Sequence, residues 1–181
     1  MLSMASKLIS ITNAVSLGML LVISSCRKPE TADPVPYIDY RGFEQVKGIG
    51  GSDSSGILHF YFIDGDGDLG LRPEDTFPPF NPNGEHYYNF IISMFEKQNG
   101  NWVKVSPLPP FPGGDTVSNS SRIPYLTSEG QIKKLEGDLF MELFTNNPFS
   151  PWDTIKYEFS IEDRALNRSN QISTPELILV K

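Results

Sequence analysis

The feature that most constrains the fold is a strict alternation of apolar and polar side chains near the C-terminus. Ile155, Tyr157, Phe159 and Ile161 alternate with polar residues over positions 154–162. Successive side chains of a β-strand point to opposite faces, so a period of two indicates a strand that is buried on one face. The segment is typical of a sheet that covers a core, and it disfavours a helix.

The same alternation recurs along the chain and predicts an all-β protein. The pair Asn99-Gly100 accepts the positive φ angles of a two-residue hairpin, which predicts that 102–105 returns antiparallel to 87–95. About seven or eight strands are expected, the number typical of an immunoglobulin-like antiparallel β-sandwich. The predicted strands are 40–47, 57–63, 87–95 (with Tyr88 on the buried face), 102–105, 122–126, 139–143, 154–162 and 176–180. Only 128–135 suggests a helical turn.

Two long proline-rich segments interrupt this pattern. Residues 72–85 and 106–114 contain four prolines each, and proline cannot donate to a sheet ladder. They are predicted to be loops at the ends or edges of the sandwich, where ligands are commonly bound. Aromatic side chains in the loops either form a platform for a sugar or a protein partner, or cover the ends of the core. These aromatic candidates are Phe77, Phe80, Phe111, Phe149 and Trp152.

The N-terminal residues have the pattern of an export signal. Lys7 precedes a mostly apolar stretch, 8–23, which ends shortly before Cys26, the single cysteine of the chain. The stretch contains polar residues and is shorter than the roughly 20 apolar residues that span a bilayer. Ile23-Ser24-Ser25-Cys26 resembles the lipobox of bacterial lipoproteins. That resemblance implies cleavage before Cys26 and lipid attachment to it; an ordinary signal peptide is the alternative.

The expected organisation is a signal peptide over 1–25, a flexible tether over 26–36 and one sandwich domain over 37–181. The tether contains three prolines and few apolar residues. Arg27, rather than aspartate, follows the cysteine, which by analogy with bacterial lipoproteins favours the outer membrane; the periplasmic and cell-surface sides both remain open. The net charge of −7 argues against nucleic acid as a partner. Contact with the membrane is expected through the lipid anchor.

The segment 63–70 contains a candidate metal site. Asp64, Asp66 and Asp68 stand at alternate positions and are separated by glycines, so their carboxylates can converge on a hard cation such as Ca²⁺. Asp75, Asp163 and Glu74 are candidate additional ligands. Leu69 stands where an EF-hand requires glycine, which argues against an EF-hand. The alternative is a polar turn in which the aspartates cap backbone amides without a metal.

Residues 163–169 carry a second resemblance. Asp163-Arg164-Ala165-Leu166-Asn167-Arg168-Ser169 is similar to the Asp-x-Ala-Gly-Asn-x-Ser turn of bacterial immunoglobulin-like and cadherin-like modules. Leu166 replaces the glycine of that pattern, and Asn167 is expected to take the left-handed conformation instead. With the lipobox and the Asp-Gly repeat, the turn resembles the immunoglobulin-like lipoproteins of Bacteroidota. The resemblance implies a location in the cell envelope and no particular reaction.

Three functional hypotheses follow. The first is a non-enzymatic, lipid-anchored binding module of the cell envelope, stabilised by calcium, whose partner is an envelope protein or a glycan. The second is a carbohydrate-binding accessory lipoprotein of a glycan-uptake system, which requires exposed loop aromatics such as Phe80 or Trp152. The third is a hydrolase with carboxylates converging in a loop cleft. The sequence contains no nucleophile-elbow, zincin or phosphate-loop motif, which disfavours the third hypothesis.

Overall fold

The computed structural model describes residues 33–106, 118–126, 134–145, 147 and 149–181. Within these residues the chain is all-β and contains no helix, as the alternating pattern predicts. The eight strands are β1 (Tyr37–Lys47), β2 (Asp53–Asp64), β3 (Phe90–Gln98), β4 (Asn101–Val105), β5 (Leu135–Phe144), β6 (Thr154–Ile161), β7 (Ile172–Ser173) and β8 (Leu177–Ile178).

The strands form two antiparallel sheets, which confirms the predicted β-sandwich. One sheet has the order β1-β2-β5, and the other has the order β4-β3-β6-β7, with β8 also paired to β6. The order places β2 and β6 in the interior of their sheets, each between two neighbours.

The core lies between the sheets and is built from alternate residues of the strands. Phe60 from β2 packs against Phe90 from β3 at 5.8 Å and against Phe159 from β6 at 5.3 Å, measured between ring centroids. Aromatic pairs at this spacing contribute beyond their buried area. The alternation identified in the sequence at 155–161 and 58–62 therefore reflects burial, and all of these inward side chains are buried.

The hairpin between β3 and β4 has the predicted turn. Asn99 has φ 51° and Gly100 has φ 83°, and Gln98 pairs with Asn101 across the two-residue loop. Positive φ at both central positions matches the right-handed twist of the flanking strands. This local prediction is confirmed.

Three segments differ from the sequence-based expectations. Strand β3 begins at Phe90, and Tyr88 is exposed rather than inward. Residues 121–124 form isolated bridges to Phe90 and Leu71 instead of a strand. The last strand is split in two because Pro175 lacks an amide hydrogen and the Thr174 hydroxyl takes over as acceptor of the Tyr157 N–H at 3.0 Å.

The side-chain amides of three asparagines each form a pair of hydrogen bonds with the backbone, as a peptide group in a sheet would. Each side chain accepts from the N–H of one residue and donates to the C=O of that same residue. The pairs are Asn89 with Ile123, Asn119 with Phe144, and Asn170 with Ile38. Buried backbone groups need such partners, so these amides join loops and strand edges that no ladder satisfies.

The N-terminal predictions lie largely outside the described residues. Cys26, the signal segment 1–25 and the tether up to residue 32 are among the residues that the structure does not describe, as are Phe111 and most of 128–135. Within the described part of the chain, no helix is long and apolar enough to cross a membrane.

Candidate metal centre

Asp64 is the last residue of β2 and points into the end of the sandwich. It follows Leu58, Phe60 and Phe62 on the inward face of the strand, so the period of two that buries these apolar side chains also buries Asp64. Its exposed fraction is 0%. The Leu69 N–H donates to Asp64 Oδ2 at 2.7 Å, which closes the loop that follows the strand.

Glycines shape that loop and return its carboxylates towards Asp64. Gly67 has φ 74° and Gly70 has φ 104°, conformations that side-chain-bearing residues rarely adopt. At Gly70 a Cβ atom would lie 2.2 Å from the Pro124 carbonyl oxygen, so only glycine fits between the loop and residues 123–125. Asp66 and Asp68 are half-buried.

Asp163 reaches the site from the other sheet, in the turn after β6. Its side chain is 1% exposed, and it accepts from Asn167 N–H at 2.8 Å and from Asn167 Nδ2 at 2.9 Å. Leu166 takes the left-handed conformation, with φ 68°. The expectation that Asn167 would take it was wrong, because Asn167 instead holds Asp163 with its backbone amide and its side chain.

The four aspartates converge. Asp64, Asp66, Asp68 and Asp163 each offer a carboxylate oxygen, and these four oxygens all lie within 4.8 Å of one another. The Oδ1 atoms of the first three are buried and have no hydrogen-bond partner among the residues that the structure describes. The backbone amides of Arg164 and Ala165 lie close enough to the Asp68 carboxylate to favour its ionised form.

Burial and mutual repulsion disfavour the ionised forms of Asp64, Asp68 and Asp163. Burial, together with the nearby Asp66 and Asp68, raises the pKa of Asp64 to about 7. Burial, with Asp163 and Asp66 beside it, raises the pKa of Asp68 to about 6. Burial also raises the pKa of Asp163, against the hydrogen bonds from Asn167. A positive charge at the centre would reverse this balance and favour the ionised forms of these three carboxyls.

The site is a buried cluster of four acidic residues that can hold a metal ion. Carboxylate oxygens are the ligands of hard cations, and Ca²⁺ sits about 2.3–2.6 Å from each oxygen. Two ligand oxygens on opposite sides of such an ion lie at most about 5 Å apart, and the four oxygens here meet that limit. Buried oxygens that lack a hydrogen-bond donor are the atoms that a cation would satisfy.

Asp75, one of the predicted ligands, lies in a different arrangement. Its carboxylate forms an ion pair with Arg164 and accepts from the Arg72 N–H at 2.7 Å. Burial acts to raise the pKa of Asp75, but these hydrogen bonds and the Arg164 charge bring it below the ordinary value. Neither Asp75 nor Glu74 belongs to the four-carboxylate group. Asp75 fastens the proline-rich loop instead.

Two arginines, Arg122 and Arg164, hold the proline-rich loop 72–85. The sequence does not predict this role. The Arg122 guanidinium donates to the carbonyls of Tyr87, Arg72 and Asp75 at 3.0–3.2 Å. Arg164 lies 5.9 Å from the Phe80 ring centroid. An arginine bound to several carbonyls organises a loop that has few ladder bonds of its own. No spacing rule in the sequence marks these arginines, because their partners are backbone atoms distant in the chain.

The candidate aromatic residues do not form one platform. Phe77 and Phe149 are exposed, whereas Phe80 and Trp152 are half-buried. The Phe80 ring lies near Arg164, so part of its surface is already in contact with the protein. Phe111 lies outside the described residues. The described aromatics therefore match both readings in part, with Phe77 and Phe149 available to a partner and Phe80 and Trp152 partly packed.

The fold and the site together define an all-β sandwich with a buried carboxylate cluster at one end. Comparisons with protein-family models, with curated proteins and with solved structures found no match to this chain. What the protein does is therefore inferred from its own residues.

Proposed function

We propose that the protein is a calcium-stabilised, non-enzymatic binding module, anchored in the cell envelope by a lipid on Cys26. The observation that carries the calcium proposal is Asp64: a fully buried carboxylate whose Oδ1 lacks a hydrogen-bond partner among the described residues and faces three further carboxylates. An isolated buried negative charge costs several kcal/mol. A divalent cation offsets that cost. Backbone amides cap Asp64 Oδ2 and Asp163, as the polar-turn alternative expects, but they leave the Oδ1 atoms of Asp64, Asp66 and Asp68 without donors among the described residues.

The cation would join the two sheets. Asp64 ends β2 in one sheet, and Asp163 follows β6 in the other, so one ion bound to both connects elements that no ladder pairs. The chain has a single cysteine and cannot form an internal disulfide. A metal cross-link constrains the folded sandwich in place of a disulfide, which favours a structural role for the ion.

Geometry favours a metal site over a hydrolase. Paired carboxyl groups of glycosidases stand about 5–5.5 Å apart in retaining enzymes and about 6.5–9.5 Å apart in inverting ones, with space for a sugar between them. Here four carboxylate oxygens crowd within 4.8 Å. A groove of about 460 Å³ lies elsewhere, along β3 and β4, and no carboxylate is among the described residues that line it.

Carbohydrate binding has weaker support than interaction with a protein. The glycan hypothesis requires Phe80 or Trp152 to stand exposed beside a shallow groove, and both are half-buried. Phe77 and Phe149 are exposed single rings that can serve either kind of partner. The envelope location rests on the lipobox at Cys26 and on the resemblance of the 163–169 turn.

Calorimetric titration of Ca²⁺ into chelator-stripped protein tests the proposal. We expect one ion per chain, with weaker binding of Mg²⁺, because Mg²⁺ requires shorter bonds and releases its water reluctantly. Glu74→Gln is a matched control. It also removes an acidic residue close in sequence to the Asp64–Asp68 loop, but Glu74 lies outside the cluster. Absence of saturable calcium binding by the folded protein would contradict the proposal.

A further inference from the structure

Strand β5 forms one edge of the three-stranded sheet, and its pairing with β2 is regular. Its pairing with β2 runs without a register shift from Leu135 to Phe144. The opposite edge strand, β1, has two register shifts, at Tyr40/Gly42 and Val46/Lys47. Bulges and twists are a common protection of sheet edges against pairing with another strand. β1 carries that protection, and β5 does not.

The contact with Asn119 shows which N–H and C=O groups of β5 point away from β2. The Asn119 side chain binds both the N–H and the C=O of Phe144, at 2.9 and 3.0 Å, so these groups point away from β2. In an antiparallel ladder the direction alternates residue by residue. The N–H and C=O groups of Glu136, Asp138, Phe140 and Glu142 therefore also face outwards, where none of the described residues pairs with them. The peptide-like amide of Asn119 already occupies the end of this row.

Side chains of the same residues form an acidic surface around an aromatic anchor. Phe140 is 63% exposed and stacks on His59 at 4.3 Å between ring centroids. A groove of about 240 Å³ beside this pair is lined by Gly42, Phe43, Glu44, Ile57, His59 and Phe140. Glu136 contacts Lys134 and Asp138 contacts His59, each at 2.7 Å, while Glu142 is exposed. The three acidic residues outnumber the single lysine, so the surface is acidic overall.

We propose that the β5 edge binds an extended peptide strand from a protein partner, with basic side chains at alternate positions and an apolar side chain opposite Phe140. Strand addition supplies main-chain hydrogen bonds for affinity, and alternate side chains supply specificity. Opposite charges across a strand pair are favourable, and like charges are unfavourable. A second copy of this chain would place acidic β5 rows against each other, which disfavours self-pairing.

This inference rests on the proposed role as an interaction module and is independent of the metal, because β5 contributes no residue to the four-carboxylate cluster. A failure to bind peptide would leave the calcium titration unaffected. Conversely, a protein that binds no calcium can still show strand addition, provided that it is folded. The two proposals are therefore tested separately.

Peptide binding by the full chain in detergent micelles tests the proposal. The probe is the blocked peptide Lys-Thr-Val-Thr-Lys-Thr-Lys, which in an antiparallel pairing places Val opposite Phe140 and Lys opposite the three acidic residues of β5. The comparisons are the same peptide with proline in place of Val and an acidic peptide with Glu for Lys. We expect saturable binding of the basic peptide alone, with slowed amide hydrogen exchange at Glu136, Asp138, Phe140 and Glu142. Proline removes a main-chain donor and should abolish the protection.

Glu142→Lys is the variant that tests charge recognition, and Glu85→Lys, on an exposed loop residue, is its matched control. We expect Glu142→Lys to weaken binding of the basic peptide by about three- to tenfold, given the energy of cross-strand charge pairs, and Glu85→Lys to leave it unchanged. Each variant is first checked for an unchanged melting temperature. No saturable binding, binding insensitive to Glu142→Lys, or protection of these amides by concentration-dependent self-association would each overturn the proposal.

Discussion

Asp64 at the end of β2 and Asp163 in the turn after β6 follow strands of different sheets, yet their carboxylate oxygens lie within 4.8 Å of each other. Asp64 ends β2 on the inward face, and Asp163 is held by Asn167 in the turn after β6. The alternation that builds the core thus also brings two charged groups together at its end. Without a cation, the two ionised carboxylates repel each other. A bound cation attracts both carboxylates and so joins the two sheets.

Asp163→Asn should affect the protein in opposite directions with and without calcium. The change removes one negative ligand, so calcium affinity should fall at least tenfold, and the melting temperature in calcium should fall with it. In chelator the variant should be as stable as the original chain or more stable, because one repelling charge is gone and the Asn167 amide can turn to accept from the new Nδ2 group. Thermal denaturation in both conditions measures this. Equal destabilisation in both conditions would indicate a purely structural role for Asp163.

The pH dependence of stability should reverse with calcium. In chelator, the folded-state pKa values of Asp64 and Asp68 are about 7 and about 6, above the ordinary value of 3.8. A carboxyl with a raised folded-state pKa binds more protons when folded than when unfolded, so its contribution to stability is lost as pH rises from about 4 to about 7. With calcium bound, protons compete with the ion, and stability should rise over that range. Melting temperatures at pH 5 and pH 7.5, in chelator and in calcium, would show this; parallel slopes would refute it.

Gly70→Ala should destabilise the protein strongly. A Cβ at this position meets the Pro124 carbonyl oxygen at 2.2 Å, and φ is 104°. Both strain and steric overlap oppose the change, so we expect a loss of about 2–4 kcal/mol in the free energy of unfolding. Gly42→Ala is the control, because no atom lies within 4 Å of its added Cβ, and its effect should stay within about 0.5 kcal/mol. Similar losses in the two variants would contradict the packing at Gly70.

Asn89→Asp should lower the free energy of unfolding, because the Asn89 amide pairs with the backbone of Ile123 as a peptide group would. Asn89 is buried, donates to the Ile123 carbonyl and accepts from the Ile123 N–H at 2.6 Å. Aspartate keeps the acceptor, loses the donor and places a charge beside a carbonyl oxygen, which should cost about 1–3 kcal/mol. Denaturant unfolding measures the loss. Asn101→Asp, at an exposed position, should change stability little, and an equal loss there would argue against a special role for Asn89.

Cys26→Ser should release the protein from the membrane fraction without changing the melting temperature of the folded chain. Serine cannot accept the thioether-linked lipid that the lipobox resemblance implies, and a single cysteine cannot contribute an internal disulfide. Fractionation of cells expressing each form, followed by detection of the protein, measures this. Persistence of the serine variant in the membrane fraction would exclude the lipid as the anchor.

The period of two in the sequence predicts most of the fold. It places β2, β5 and β6 and identifies their inward faces, because burial on one face of a strand imposes the alternation directly. The Asn99-Gly100 pair predicts its hairpin for an equally local reason. Tyr88 shows where such reasoning fails: it continues the alternation, but the chain there is held by Arg122 from a distant segment and has not yet entered the strand.

The candidate site could be predicted only in part. Three aspartates at alternate positions, separated by glycines, predict convergence within one loop, and the sequence offers Glu74, Asp75 and Asp163 as further ligands without choosing among them. The choice between Asp75 and Asp163 depends on tertiary contacts: Arg164 pairs with Asp75, whereas Asn167 turns Asp163 towards the cluster. The bonds of Asn89, Asn119 and Asn170 were not foreseen, since asparagine is common in turns for other reasons.

The most direct measurement of the central claim is the thermal denaturation of the full chain in calcium and in excess chelator. A ligand present at a hundredfold excess over its Kd stabilises the folded state by about 2.7 kcal/mol. For a protein of this size, that should raise the melting temperature by about 5–10 °C in calcium. An identical melting temperature in calcium and in chelator would contradict a calcium ion that joins Asp64 to Asp163.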